Sequence, residues 1–298
     1  MVGNSLGSPI DFVAIGKRLK AYRIGASLQA EDVAAQLDVS RAAIYRLEQG
    51  EIVKIETLDA IAQVLGTSLA SLLGVECEYY PTPLGLFERM RQLEKTSDRI
   101  LAHFDPISLL LTSDEYLRHL PLMLMESTSR HMNSDQAEKN VEKLMGLLSE
   151  RRKYFKQYMP HIVSLIGLRE IEQFLHTGLV GRLDLPKKVH AERVEAAKNE
   201  VLYLADLMED EPINVQIGLV NESMPSFTFQ VMTGREQSVL VQSPFKLGEM
   251  PNIANGIGMI TVAPEAVKLH EDLMLTLWKT AYKGKAGANI LRKLVSKF

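Results

Sequence analysis

The 298-residue sequence predicts two folds in succession: a mainly α domain over residues 1–75 and a larger α+β domain over residues 84–298. Three observations carry this. Between Leu28 and Gly50, apolar residues recur at helical spacing in two short runs separated by a turn. At 76–83 the run Glu-Cys-Glu-Tyr-Tyr-Pro-Thr-Pro breaks that pattern and reads as a linker. Beyond residue 214, short apolar runs alternate with turn residues, as strands of a small antiparallel sheet would.

In the first run, Val33, Ala34 and Leu37 share one helical face. Asp38-Val39 makes the turn, and Ser40 supplies an N-cap for a second helix whose inward positions are Ala43, Ile44 and Leu47. Gly50 stops that helix, because glycine accepts the left-handed conformation that follows many helix ends. Arg41, Ala42, Tyr45 and Arg46 are left pointing outward. A helix followed by a tight turn and a second helix with such an outer face is the arrangement that enters the DNA major groove.

These two helices, the helical run Ile15–Arg23 before them, Thr57–Ala62 with Leu65-Gly66 after them, and Ser68–Leu73 resemble the phage repressor/Cro family. This is the xenobiotic-response-element type of bacterial regulator, and the likeness covers residues 10–74. It implies a five-helix, repressor-type helix-turn-helix domain that binds double-stranded DNA. By the same resemblance Arg41, Ala42 and Arg46 contact bases, the arginines reading guanine O6 and N7 and Ala42 a thymine methyl group. Gln29, Ser40, Tyr45, Lys17 and Lys54 are the backbone-contact candidates, which set register without reading sequence. For Ser40 a cap alone is the alternative, and for Tyr45 surface packing. Arg23 and Glu48 correspond to a structural ion pair between the first and third helices.

Two residues depart from the family pattern: Ala30 stands where the family has a phosphate-anchoring glutamine, and Asp38 where it has a turn glycine. Residues 10–74 carry seven Lys/Arg against eight Asp/Glu, so one copy should hold DNA weakly and a homodimer on a palindromic operator is expected.

In the second domain, helical spacing runs from about Leu84 to His103, from Ser113 to Met125 and from Gln136 to Tyr158, with a polar stretch at 126–135. His161–Ile166 reads as a strand, followed by a helix through Ile171 and Phe174 and another from Val189 to Glu209. Strands follow at Val215–Val220, Phe227–Met232, Ser238–Val241 and Ile257–Val262, then helices at Pro264–Tyr282 and Ala288–Phe298. Arg151–Phe155, Ile162–Leu168, Glu170–Leu175, Asn214–Ile217, Ser226–Phe229 and the run through Ala281, Leu291 and Leu294 resemble, more loosely, the C-terminal domain of actinobacterial regulators of this type. That resemblance supports the two-domain architecture and identifies no ligand. The second domain is expected to dimerise and to sense a small-molecule effector, with control by an antitoxin-like protein antagonist as the alternative and a DNA-tethered enzyme as a further one.

The sequence excludes several chemistries. It has no H-E-x-x-H, paired C-x-x-C, G-x-x-x-x-G-K-[ST], G-x-S-x-G or H-x-K-x-x-x-x-D motif. Seven dispersed histidines (103, 119, 131, 161, 176, 190, 270) hold no metal-ligand spacing. His270-Glu271-Asp272 falls on a helix, where neighbours diverge. Glycine turns at 178–181, 234–235 and 256–258 do not open a helix after a strand, as a phosphate cradle would. No enzyme, metal or cofactor is therefore expected. The lone Cys77 excludes an internal disulfide and reads as a small buried hydrophobe, with a redox switch as the alternative. No apolar run reaches the roughly 20 residues of a membrane span, and no signal segment opens the chain, so a cytoplasmic protein is expected. Six Lys/Arg and no acid between Lys279 and Phe298 make a solvated basic face, or a contact for DNA or an acidic partner.

Overall fold

A computed structural model describes residues 11–51, 54–74, 77–104, 106–128 and 134–298. The chain opens with five helices, α1 (Phe12–Gly25), α2 (Ala30–Gln36), α3 (Arg41–Glu48), α4 (Ile55–Val64) and α5 (Leu69–Leu73). Leu19, Val33, Ile44, Ile61 and Leu72 form the centre of this head, each almost wholly buried.

Cys77–Tyr80, inside the stretch expected as a linker, forms the edge strand β1. Next come α6 (Pro83–Glu94), β2 (Ser97–His103), a 3₁₀ turn (Leu109–Leu111), α7 (Tyr116–Ser127) and α8 (Ser134–Tyr158). β3 (His161–Gly167), α9 (Leu168–Thr177), α10 (Lys187–Asp210) and β4 (Val215–Val220) follow. The chain closes with β5 (Thr228–Gly234), β6 (Ser238–Ser243), β7 (Gly258–Thr261), α11 (Pro264–Thr280), β8 (Tyr282–Lys283) and α12 (Gly284–Val295).

The small antiparallel sheet expected from the sequence is corrected here to an eight-stranded mixed sheet ordered β1-β7-β6-β5-β2-β3-β4-β8. β2, β3 and β4 run parallel, with Ala102 opposite Ser164 and Leu165 opposite Gly218. The helical stretch expected from Leu84 to His103 is also corrected, since α6 ends at Glu94 and β2 starts at Ser97. β2 pairs with β3 on one side and β5 on the other. A central strand buried on both faces carries a continuous apolar run, and Ile100-Leu101-Ala102 fits a helical period equally well.

The two sheet faces are covered unequally. Ile100, Ile162, Ile217, Met232 and Val241 belong to the large core that also holds the apolar residues of α6, α8, α9, α10 and α12. Leu101, Leu165, Val220, Phe229 and Leu240 face the other way, against Val267 and Met274 of α11. This alternation along each strand makes a three-layer body.

Head and body share the large core without a break, and their seam is polar at its centre. The Glu78 carboxylate on β1 accepts from Arg89 Nε (2.9 Å) and Nη2 (3.1 Å) of α6 and from the Tyr80 hydroxyl (2.6 Å). Arg18 of α1 lies 3.6 Å away and donates to the carbonyls of Leu72 (2.6 Å) and Leu73 (2.8 Å), which α5 leaves unpaired at its C-terminus. Burial works against the charges on both arginines. For Arg89 the attraction of Glu78 outweighs it and holds the guanidinium above its usual value, whereas Arg18 ends below. Around this centre Tyr22 stacks on Tyr80, with ring centroids 4.6 Å apart, and its hydroxyl accepts from the Tyr79 amide (3.1 Å). The start of α6 meets the end of α1 at two glycines: a Cβ on Gly25 would stand 2.9 Å from Gly85 Cα, which leaves it no room, and a Cβ on Gly85 would press on Tyr80 Cδ1 at 3.1 Å.

Replacing Glu78 by Gln leaves two buried guanidinium groups without a counter-charge. The expected cost is about 3–5 kcal/mol of unfolding free energy, read as a fall in the urea midpoint. A change within error would show that the seam does not depend on the carboxylate.

Candidate nucleic-acid interface

The site is built on two short helices held at a fixed angle. α2 begins at Gln29, whose amide donates to Asp32 Oδ2 (2.7 Å), so an acidic side chain satisfies one of the amides that a helix start leaves unpaired. The turn passes through Asp38 at φ 52°, the left-handed conformation in which a non-glycine residue is uncommon and aspartate is among the better tolerated. Ser40 then caps α3, its Oγ accepting from the Ala43 amide (3.1 Å). Beyond α3, Gly50 sits at φ 95°, and a Cβ there would lie 2.8 Å from Val13 Cα of α1. The chain therefore needs glycine at this point both for the turn and for the close approach.

α3 buries Ile44 and Glu48, one turn apart, and exposes Arg41, Ala42, Tyr45 and Arg46. Behind it Arg23 of α1 donates to Glu48 through Nε (2.5 Å) and Nη2 (3.2 Å) and to the Leu28 carbonyl through Nη1 (3.0 Å). This buried bidentate pair fixes α3 against α1, and the third bond ties in the chain entering α2.

The structure brings the three base-contact candidates together on one exposed strip with Tyr45, and Ser40 at its start. Gln29 is exposed at the N-terminal end of α2, and Lys54 is exposed at the N-terminal boundary of α4. Lys17 is half-buried on α1 and lines a cleft against the sheet body.

The arginines are not bare. Arg41 Nη2 donates to the Tyr45 hydroxyl (3.1 Å), its guanidinium carbon lies 5.2 Å from the Tyr45 ring centre, and Nη1 lies 2.7 Å from Glu31 Oε1. The bond to Tyr45 first, and the carboxylate second, hold this guanidinium above its usual value. Arg46 Nε lies 3.0 Å from Glu51 Oε2. Sequence reasoning missed both acidic partners. Glu31 lies ten positions before Arg41 on a different helix, so only the packing of α2 on α3 unites them.

Among the described residues, no three His, Cys, Asp or Glu side chains gather as a metal site. His131 lies outside the described residues. Glu271 pairs with Arg99 (3.1 Å), Asp272 with Lys268 (3.1 Å), and His270 Nε2 meets Gln242 Nε2 (3.1 Å), so these three neighbours diverge. Glu200 is buried, accepts from the Ser113 amide and hydroxyl, and is raised above the usual carboxylate range chiefly by burial. Cys77 is half-buried on β1 opposite Thr261. Among the described residues, no helix is long and apolar enough to cross a membrane.

Comparison with known proteins agrees with the geometry of the head. Residues 14–73 match the family model described as a helix-turn-helix domain. This segment is a helix-turn-helix domain. The match supports a DNA-binding regulator. No curated protein matches the chain. Among solved structures, phosphatidylserine synthase from Haemophilus influenzae Rd KW20 aligns at a TM-score of 0.38 and 8% identity, over 91% of this chain. The chain spans 58% of that protein's length, and at this level the likeness carries no argument about fold or activity.

An Arg41 guanidinium that contacts DNA would first have to leave the Glu31 carboxylate. Glu31→Gln is expected to tighten DNA binding roughly two- to five-fold, the scale of an exposed ion pair, in a fluorescence-anisotropy titration at fixed salt. Unchanged or weaker binding would place Arg41 outside the interface.

Proposed function

We propose that the protein is a transcription regulator that binds a palindromic operator as a homodimer through its helix-turn-helix domain. The observation that carries this reading is the outer strip of α3, where Arg41, Ala42 and Arg46 stand exposed while Arg23–Glu48 fixes the helix from behind. Each arginine can make a bidentate bond to guanine once it leaves its carboxylate, and Ala42 offers a methyl-sized apolar contact between them. In this reading Ser40, Tyr45, Gln29 and Lys54, all exposed, make the phosphate contacts that set the register, with Lys17 the least exposed member of that set.

The near balance of charge over residues 10–74 argues for two heads acting together. In this reading the body dimerises, sets half-sites about 34 Å apart, and answers to a small-molecule effector. An effector acts by preferring one arrangement of the heads, which shifts the population that fits the operator.

Selection of bound sequences from random duplex DNA by the full-length protein tests the reading directly. A palindrome with two half-sites is the expected result, and no enrichment above background would overturn it. On the selected operator, Arg41→Ala and Arg46→Ala should each lower the preference for operator over random DNA roughly ten-fold or more. The dimer should remain intact by light scattering. Wild-type footprints from both variants would move the recognition surface elsewhere.

A further inference from the structure

We propose that the cleft between α1 and the sheet body binds a small aromatic acid, a planar ring bearing a carboxylate or phosphate, and that this is the effector site. The proposal deepens the regulator reading and rests on it for its link to DNA. The cleft measures about 740 Å³, within the range of small-molecule sites. It opens at the amino ends of β2 and β3, with α1 as one wall and the ends of α6 and α8 and the β5–β6 turn as the others.

Its deep charge is positive. Arg89 is buried and lines the cleft, spending Nε and Nη2 on Glu78, while Nη1 holds only a 3.3 Å bond to Gln92. A guanidinium has five N–H donors, so this group retains capacity for an anion. Lys17 and Lys95 also line the cleft. Of the acidic groups there, Asp11 is engaged as the N-cap of α1, accepting from the Ala14 amide (2.9 Å), and Asp98 and Glu236 are exposed. The aromatic element is Tyr154, stacked on Tyr158 with ring centroids 4.3 Å apart. Tyr158 is 59% exposed, and Lys95 Nζ lies 6.0 Å from the Tyr154 ring centre. A ring laid on this pair brings its acid group among the cations.

The same residues connect the cleft to the DNA-binding strip. Arg89 shares the Glu78 carboxylate with Arg18 of α1, and five positions along the same helix Arg23 holds Glu48 of α3. An anion that draws on Arg89 competes with Glu78 and thereby loosens or resets the contact that seats α1 on the body. α1 also meets the ligand directly through Lys17. The coupling runs through charged pairs with alternative partners, which is the kind of element two sites can bias together.

The test uses the full chain without DNA first. Isothermal titration with 2-hydroxybenzoate and with adenosine monophosphate reads the carboxylate and phosphate forms separately, and benzyl alcohol and inorganic phosphate serve as ring-only and anion-only controls. Saturable binding of at least one ring acid is expected, with neither control binding, and weakened about five-fold or more by Tyr158→Ala and by Lys95→Gln. Both are surface substitutions that spare the core. Absence of binding by both ring acids overturns the site, as does binding that both variants leave unchanged. In the second stage, a saturating ring acid should change operator affinity severalfold in the wild type and not in the variants. An unchanged operator affinity overturns the effector role. If no operator is selected at all, the regulator reading fails while the titration still decides the site.

Discussion

The Glu78 carboxylate is the point on which the arrangement of head and body depends. It sits on an edge strand, receives Arg89 and Tyr80 from the body, and faces Arg18 from the head. Such a buried cluster gives little net stability over an apolar core, because each charge has lost its water. Its effect is geometric. Apolar surfaces tolerate sliding, whereas a carboxylate held in the body by three donors and facing Arg18 of α1 at 3.6 Å, beside a stacked tyrosine pair and two facing glycines, restricts how α1 sits on α6.

That seating matters because α1 serves two structures. Arg18 belongs to the seam and also closes the carbonyl end of α5. Arg23, further along, clamps α3. A body joined to a helix-turn-helix domain by a free linker could report its state only through dimer geometry. Here α3 lies two ion pairs away from the body, and a cleft lined by Arg89 opens beside the first of them.

The interface itself has a restrained character. Two arginines suited to guanine stand against Glu31 and Glu51, and the domain carries no excess of positive charge. In the proposed reading, the carboxylates beside Arg41 and Arg46 would penalise contacts with any phosphate in reach and leave binding to sites where bidentate base contacts replace them. In the body, the head covers the outer edge of β1: the Tyr79 amide donates to the Tyr22 hydroxyl of α1 (3.1 Å), which withdraws it from pairing with another chain.

The sequence by itself determined the head. Val33, Ala34, Ile44 and Leu47 mark the period, Ser40 the cap and Gly50 the stop, and each acts through contacts within a few residues or one neighbouring helix. The late strands were legible for the same reason, since Val215–Val220 and Ser238–Val241 stand between turn residues. Only the tertiary structure decided the rest. β2 became a strand because β3 and β5 bury it on both sides, a fact that its apolar run cannot express. β1 exists because β7, some 180 residues later by the pairing of Cys77 with Thr261, supplies its partner. The parallel centre of the sheet, the Glu78 cluster and the carboxylates on Arg41 and Arg46 all join residues that are distant in sequence or lie on separate elements. Local pattern specifies a helix and its ends; pairing across the chain depends on where the packed elements come to lie.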